Sequence, residues 1–97
     1  MLTGKQKRYL RSLAHHLNPV TQVGKGGVSD NMIEQINLTF ETHELIKISI
    51  LQNCEEEKDV VARALAERSG AELVQLIGKT VVLYKESAED KQIQLPN

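Results

Sequence analysis

From residue 4 onward the apolar positions first recur at helical spacing. At ~100° per residue, Gln6, Tyr9, Leu10, Leu13, Ala14 and Leu17 share one face. Arg8, Arg11 and His15 share a narrow arc of the other face, with Lys7 at its edge. Thr3 is a suitable N-cap, so a first helix is predicted over about residues 4–17. Asn18-Pro19 ends it, because the residue before a proline is pushed out of the helical region. A β-branched run from Val20 to Val23 then predicts a strand. After a glycine-rich stretch, Ser29 or Asp30 caps a second helix reaching about Glu41, with Met32, Ile33, Ile36 and Phe40 as its buried stripe. Leu38 lies off that stripe.

The period then changes to two. In Leu45 to Leu51, Ile46, Ile48 and Ile50 are expected to point inward and Lys47 and Ser49 outward, as in a half-buried strand. A third helix is predicted over about 56–69, with Val60, Val61, Ala64 and Leu65 as its apolar face and Gly70 ending it. Residues 72–77 and 80–85 read as two strands joined by a tight Gly78-Lys79 hairpin. From Glu86 the chain is polar and a loose tail is expected. The order is αβαβαββ: an α/β domain over residues 1–85, with a mixed four-stranded sheet, packed helices and a polar tail over 86–97.

Composition narrows the class. A chain of 97 residues forms one domain. The single cysteine, Cys54, has no partner within the chain and reads as a buried or unreactive thiol. No stretch approaches a membrane span, and the first residues lack an apolar signal core, so a cytoplasmic protein is expected. Net charge is −1, which alone argues against a nucleic-acid partner. Its distribution argues the other way. Residues 1–29 hold five basic residues and no acid, whereas residues 30–97 hold seven basic and thirteen acidic ones. Such asymmetry suggests an anionic partner for the basic part.

Gly24-Lys25-Gly26-Gly27 sits between the first strand and the second helix. Backbone N–H groups there can approach a phosphate closely, the following helix presents its positive end, and Lys25 adds a full charge. In K-homology domains a similar loop joins two helices, but here a strand precedes it. Gly78-Lys79-Thr80 is not a triphosphate-binding loop, since position 73 is Leu and a strand follows. His15, His16 and His43 lack metal-ligand spacing with one another or with Cys54; His15 joins the polar face and the other two read as structural. Glu55, Glu56 and Glu57 are expected to decorate the start of the third helix. No nucleophile–base or carboxylate pair stands out, so neither enzyme activity, a metal nor a cofactor is expected.

Taken together, Leu10 to Leu17 with Pro19, Val23-Gly-Lys-Gly-Gly27, His43-Glu-Leu-Ile-Lys47, and Ile77-Gly-Lys-Thr80 with Val82-Leu-Tyr84 resemble the CRM domain (chloroplast RNA splicing and ribosome maturation) in its stand-alone YhbY-type form. The resemblance covers roughly residues 2–85. It implies a fold similar to the C-terminal domain of translation initiation factor three. It also implies RNA binding through the glycine loop and the neighbouring basic surface, in precursors of the large ribosomal subunit. The expected RNA contacts are Gly24, Lys25, Gly26, Gly27, Arg8 and Arg11, with Lys5 and Lys7 at the margin and Lys47 and Lys79 beyond. A monomer that binds neither DNA nor membrane is expected, with ribosomal proteins as further partners. The rival reading is a protein-interaction module that docks a basic ribosomal protein through the acidic C-terminal half.

Overall fold

The computed structural model describes residues 2–88 and 90–97. Its elements are α1 (Gly4–Ala14), β1 (Pro19–Val23), α2 (Asp30–Phe40), β2 (Leu45–Ile50), α3 (Lys58–Ser69), β3 (Glu72–Ile77) and β4 (Thr80–Tyr84). They form one α/β domain in the expected αβαβαββ order. The strands lie in the order β1-β2-β4-β3. β1 and β2 are parallel, because α2 carries the chain back along the sheet between them. β4 turns back from β3 and inserts antiparallel to both β2 and β3.

Both faces of the sheet are covered. Ile46, Ile48 and Ile50 of β2, with Val81 and Leu83 of β4, face α2 and α3 and form the larger core with Ile36, Phe40, Val61 and Leu65. The opposite face carries Leu45, Val74, Val82 and Tyr84, which pack against Leu10 and Ala14 of α1. β2 is therefore not half-exposed as the alternation suggested: Lys47 and Ser49 lie on the α1 side and are partly buried.

Local chemistry sets the helix limits. Thr3 and Gln6 form a reciprocal capping box at α1, with Gln6 N–H donating to Thr3 Oγ1 at 3.1 Å and Thr3 N–H to Gln6 Oε1 at 3.0 Å. α1 stops at Ala14, a turn earlier than predicted, and Leu17 packs on the smaller core from beyond it. Ser29, not Asp30, caps α2, accepting the Met32 N–H at 3.1 Å. α3 begins at Lys58, so Glu55 and Glu56 stand in the connector rather than in the helix. Its buried face is Val61, Ala62, Leu65, Ala66 and Ser69, and Val60 is exposed. The small Ala62 and Ala66 let α3 sit close on the larger core, which rotates the buried stripe away from Val60.

The described residues that follow β4 are tied to the domain, where a loose tail was expected. Among those described there is no helix or strand, yet Glu44, only 1% exposed, accepts the N–H groups of Ser87 (2.8 Å), Gln92 (2.7 Å) and Ile93 (2.6 Å). Ser87 Oγ donates to the Glu41 carbonyl at 3.0 Å, and Gln6 Nε2 donates to the Pro96 carbonyl at 3.0 Å. Ile93 and Leu95 extend the smaller core. A buried carboxylate must be satisfied by donors, and the tail supplies them.

Candidate nucleic-acid interface

The strand directions bring three connections to one end of the sheet. Val23, last in β1, pairs with Ile50. Leu51 N–H donates to the Val23 carbonyl at 2.8 Å, and Ile50 N–H to the Lys79 carbonyl at 2.7 Å. The glycine loop, the segment after β2 and the β3–β4 hairpin therefore share one rim. Loop and hairpin are two strand spacings apart, about 10 Å.

Gly24 to Gly27 form a turn, with Gly27 N–H donating to the Gly24 carbonyl at 3.0 Å. Only Gly27 has a positive φ, +70°. Lys25 and Gly26 are exposed, and nothing lies within 4 Å of where a Cβ on Gly26 would stand. Among the described residues, the amides of Lys25 and Gly26 have no acceptor in the turn, whereas that of Gly27 is already used. The Gly27 amide is thus withdrawn from any phosphate seat, while those of Lys25 and Gly26 stay available beside the lysine.

The charges around the loop are mixed. Glu56 Oε1 lies 2.6 Å from the position a Cβ on Gly27 would take. Asp30 occupies the first turn of α2, where its charge offsets the positive helix end. Arg68 of α3 reaches across to the Asp30 carboxylate and donates to the Val28 carbonyl at 2.9 Å. That fork ties the loop exit to α3 and places a cation near the acids. Nothing in the local sequence pointed to Arg68 or Glu56, since both come from an element that follows by some thirty to forty positions.

A second arrangement lies below the rim, on the α1 side of the sheet. α1 leaves part of this face uncovered, and a cleft of about 440 Å³ opens between them. Arg11 lines it from α1, His15 from the C-cap of that helix, and Lys47 from β2. Ala14 lines it from α1 as well, and Gln75, Ile77, Thr80 and Val82 from β3 and β4. Lys47, Val82 and Gln75 are register partners across β2, β4 and β3, as are Ser49, Thr80 and Ile77 one rung nearer the rim. Among the described residues, no carboxylate lines the cleft. Ile77 and Thr80 flank the hairpin, so Lys79 stands at its upper edge; Gly78 alone of the two loop residues has positive φ, +57°, the pattern of a type II′ turn.

The sequence-derived contacts therefore fall into three groups. Arg11 and Lys47 are brought together in the cleft, with Lys79 at its edge. Lys25 and the glycines stand on the same rim. Arg8 and Lys5 are exposed on α1 and Lys7 is half-buried there, and none of the three lines the cleft. Sequence reasoning missed Gln75 and Thr80. Their position in the two-residue alternation of β3 and β4 was the available signal. His43, expected to be structural, is exposed and shares a 2.9 Å hydrogen bond with the Thr42 hydroxyl. Cys54 is half-buried beside the larger core. Among the described residues, no group of three or more His, Cys, Asp or Glu side chains could hold a metal ion, and no helix is long and apolar enough to cross a membrane.

Residues 2–85 match the family model of the CRS1 / YhbY (CRM) domain. The chain is 68% identical over 96 residues to "Probable RNA-binding protein YqeI" of Bacillus subtilis, covering 99% of this chain and 100% of that protein. It is 41% identical to "RNA-binding protein" of Haemophilus influenzae, covering 98% of this chain and 95% of that one. The solution structure of a hypothetical protein from Staphylococcus aureus superposes with a TM-score of 0.83 at 56% identity, covering 99% of this chain and 100% of that one.

Proposed function

Because the chain belongs to the CRS1 / YhbY (CRM) domain family, we propose that it is an RNA-binding protein that engages ribosomal RNA in precursors of the large subunit and assists assembly. The observation that carries the RNA part is the cleft that Arg11 of α1 and Lys47 of β2 both line, with no acid among its described lining residues. Chain topology puts two cations far apart in sequence into one concavity. The Lys79 hairpin and the exposed Lys25 lie on the rim above it. Cations in a concavity and along the rim above it suit the successive phosphates of a polynucleotide. Aromatic side chains are scarce, so contacts to backbone and shape dominate over base stacking. The relatives named as RNA-binding proteins support the same reading.

The ribosomal role rests on the family. Crosslinking in cells, followed by sequencing of the attached RNA, tests it. Reads concentrated on large-subunit ribosomal RNA and its precursors are expected, and reads spread over messenger RNA would remove the assembly role.

One observation favours a second reading. α2 carries Asp30 and Glu34 and no cation, Glu41 stands at its C-cap, and Glu55, Glu56 and Glu57 follow β2. This layer could dock a basic ribosomal protein. Nuclease treatment of a lysate before sedimentation separates the two: co-sedimentation with ribosomal particles that survives loss of RNA favours protein docking.

A further inference from the structure

We propose that the cleft between α1 and the sheet receives one unpaired nucleotide of the bound RNA, with its phosphate between Arg11 and Lys47 and its base beside Gln75 and Ile77. The inference rests on the RNA-binding reading and specifies the ligand of the site.

The lining is chemically mixed. Lys47 of β2 and the neutral amide Gln75 of β3 flank Val82 from opposite sides, and Arg11 joins them from α1. Next to Gln75 along the lining is an isoleucine, Ile77, that is 60% exposed. A site for phosphates alone calls for cations throughout. A single exposed isoleucine means little by itself, but here it adjoins an amide in a walled concavity. An amide that both donates and accepts, next to an apolar surface, suits the edge and face of a nucleobase.

Dimensions agree. Lys47 and Gln75 are register partners of Val82 on its two sides, so they lie two strand spacings apart, about 10 Å. That is comparable to the distance from a nucleotide's phosphate to the far edge of its base. A volume of about 440 Å³ falls in the range of small-ligand sites. A paired base cannot enter, because its edge is held inside the duplex. His15 lines the same cleft from the C-cap of α1, and histidine is among the side chains on which unpaired bases stack.

The test is an NMR titration and filter-binding series with single-stranded hexauridylate and hexaadenylate and with a matched RNA duplex. Expected are shifts of the Gln75 side-chain amide and of the Ile77 and Thr80 backbone amides with a single strand, and none at Gln75 with the duplex. Gln75→Ala and His15→Ala should each weaken single-strand binding about tenfold and leave duplex binding unchanged. Arg11→Gln should weaken both. If the wild type binds RNA but Gln75 is unmoved and Gln75→Ala binds a single strand normally, the nucleotide pocket is refuted and RNA binding stands. If the wild type binds neither form of RNA, the RNA-binding reading itself falls and the pocket with it.

Discussion

Glu44 Oε1 accepts the backbone N–H of Ile93 at 2.6 Å, across 49 positions of sequence. The same carboxylate takes the amides of Ser87 and Gln92, so one buried side chain at the start of β2 gathers the segment that follows β4. Glu44→Ala should leave these amides without their partner and remove hydrogen bonds to a charged group. A loss of about 2–3 kcal/mol is expected. For a domain of this size that is a fall in Tm of roughly 10–20 °C. Urea unfolding of the two proteins measures it, and a change below ~0.5 kcal/mol would show that the segment does not depend on Glu44.

Acid should release the same segment. Burial pushes the Glu44 carboxyl up, but the N–H groups of Ser87, Ile93 and Gln92 and the charge of Lys91 outweigh it and hold it below its ordinary value of 4.5. A lowered folded value means the carboxylate contributes stability in full above the unfolded value. That contribution fades as pH falls through the folded one. The urea midpoint should therefore drop below about pH 4.5 more steeply in the wild type than in Glu44→Gln. Parallel curves would contradict this.

Charge reversal should separate the two parts of the interface. Arg11→Glu and Lys47→Glu place an acid in the cleft and should each reduce RNA affinity about tenfold or more. With about four phosphate contacts to a single strand, log K should fall against log salt with a slope near −3, and Arg11→Gln should reduce that slope by about 0.7. Binding indifferent to salt would exclude the phosphate mechanism.

Lys25→Glu should also weaken RNA binding without unfolding the domain, since Lys25 is exposed on the rim. The effect should be smaller than that of Arg11→Glu, because Glu56 beside Gly27 already offsets the lysine. Glu56→Gln should raise affinity a few-fold in the same filter-binding assay. An unchanged Kd in Glu56→Gln would mean that RNA passes the loop at a distance.

Gly27→Ala tests the loop backbone. Its φ of +70° costs an L side chain roughly 1–2 kcal/mol. Glu56 also stands where the Cβ would go, but it is the end of a flexible chain and can swing away. Thermal unfolding should show that loss, and adding Glu56→Ala should restore only a minor part of it.

The element order was legible because α and β spacings alternate cleanly, and because Ser29, Pro19 and Gly70 punctuate them where local chemistry demands. Long-range pairing was not. Lys47 read as a solvent-facing residue, since a period of two cannot tell whether the second face is covered, and here α1 covers part of it. Glu44 belongs to no spacing pattern, and only the folded chain shows what it holds. The glycine loop was visible as a motif, but Glu56 comes to it through the fold, so the local acid was hidden. The cleft combines α1, β2, β3 and β4, and no window of sequence contains it.

The sheet also acts as a partition. On one side lies a helix whose charges, Lys5, Lys7, Arg8 and Arg11, are all positive; on the other lie α2, whose charges are negative, and α3, whose charges are mixed. Such a body has a heading. In the field of a polyanion it should turn before it touches, with the α1 side leading. The partition thereby governs how quickly a productive encounter forms, apart from how long the complex lasts.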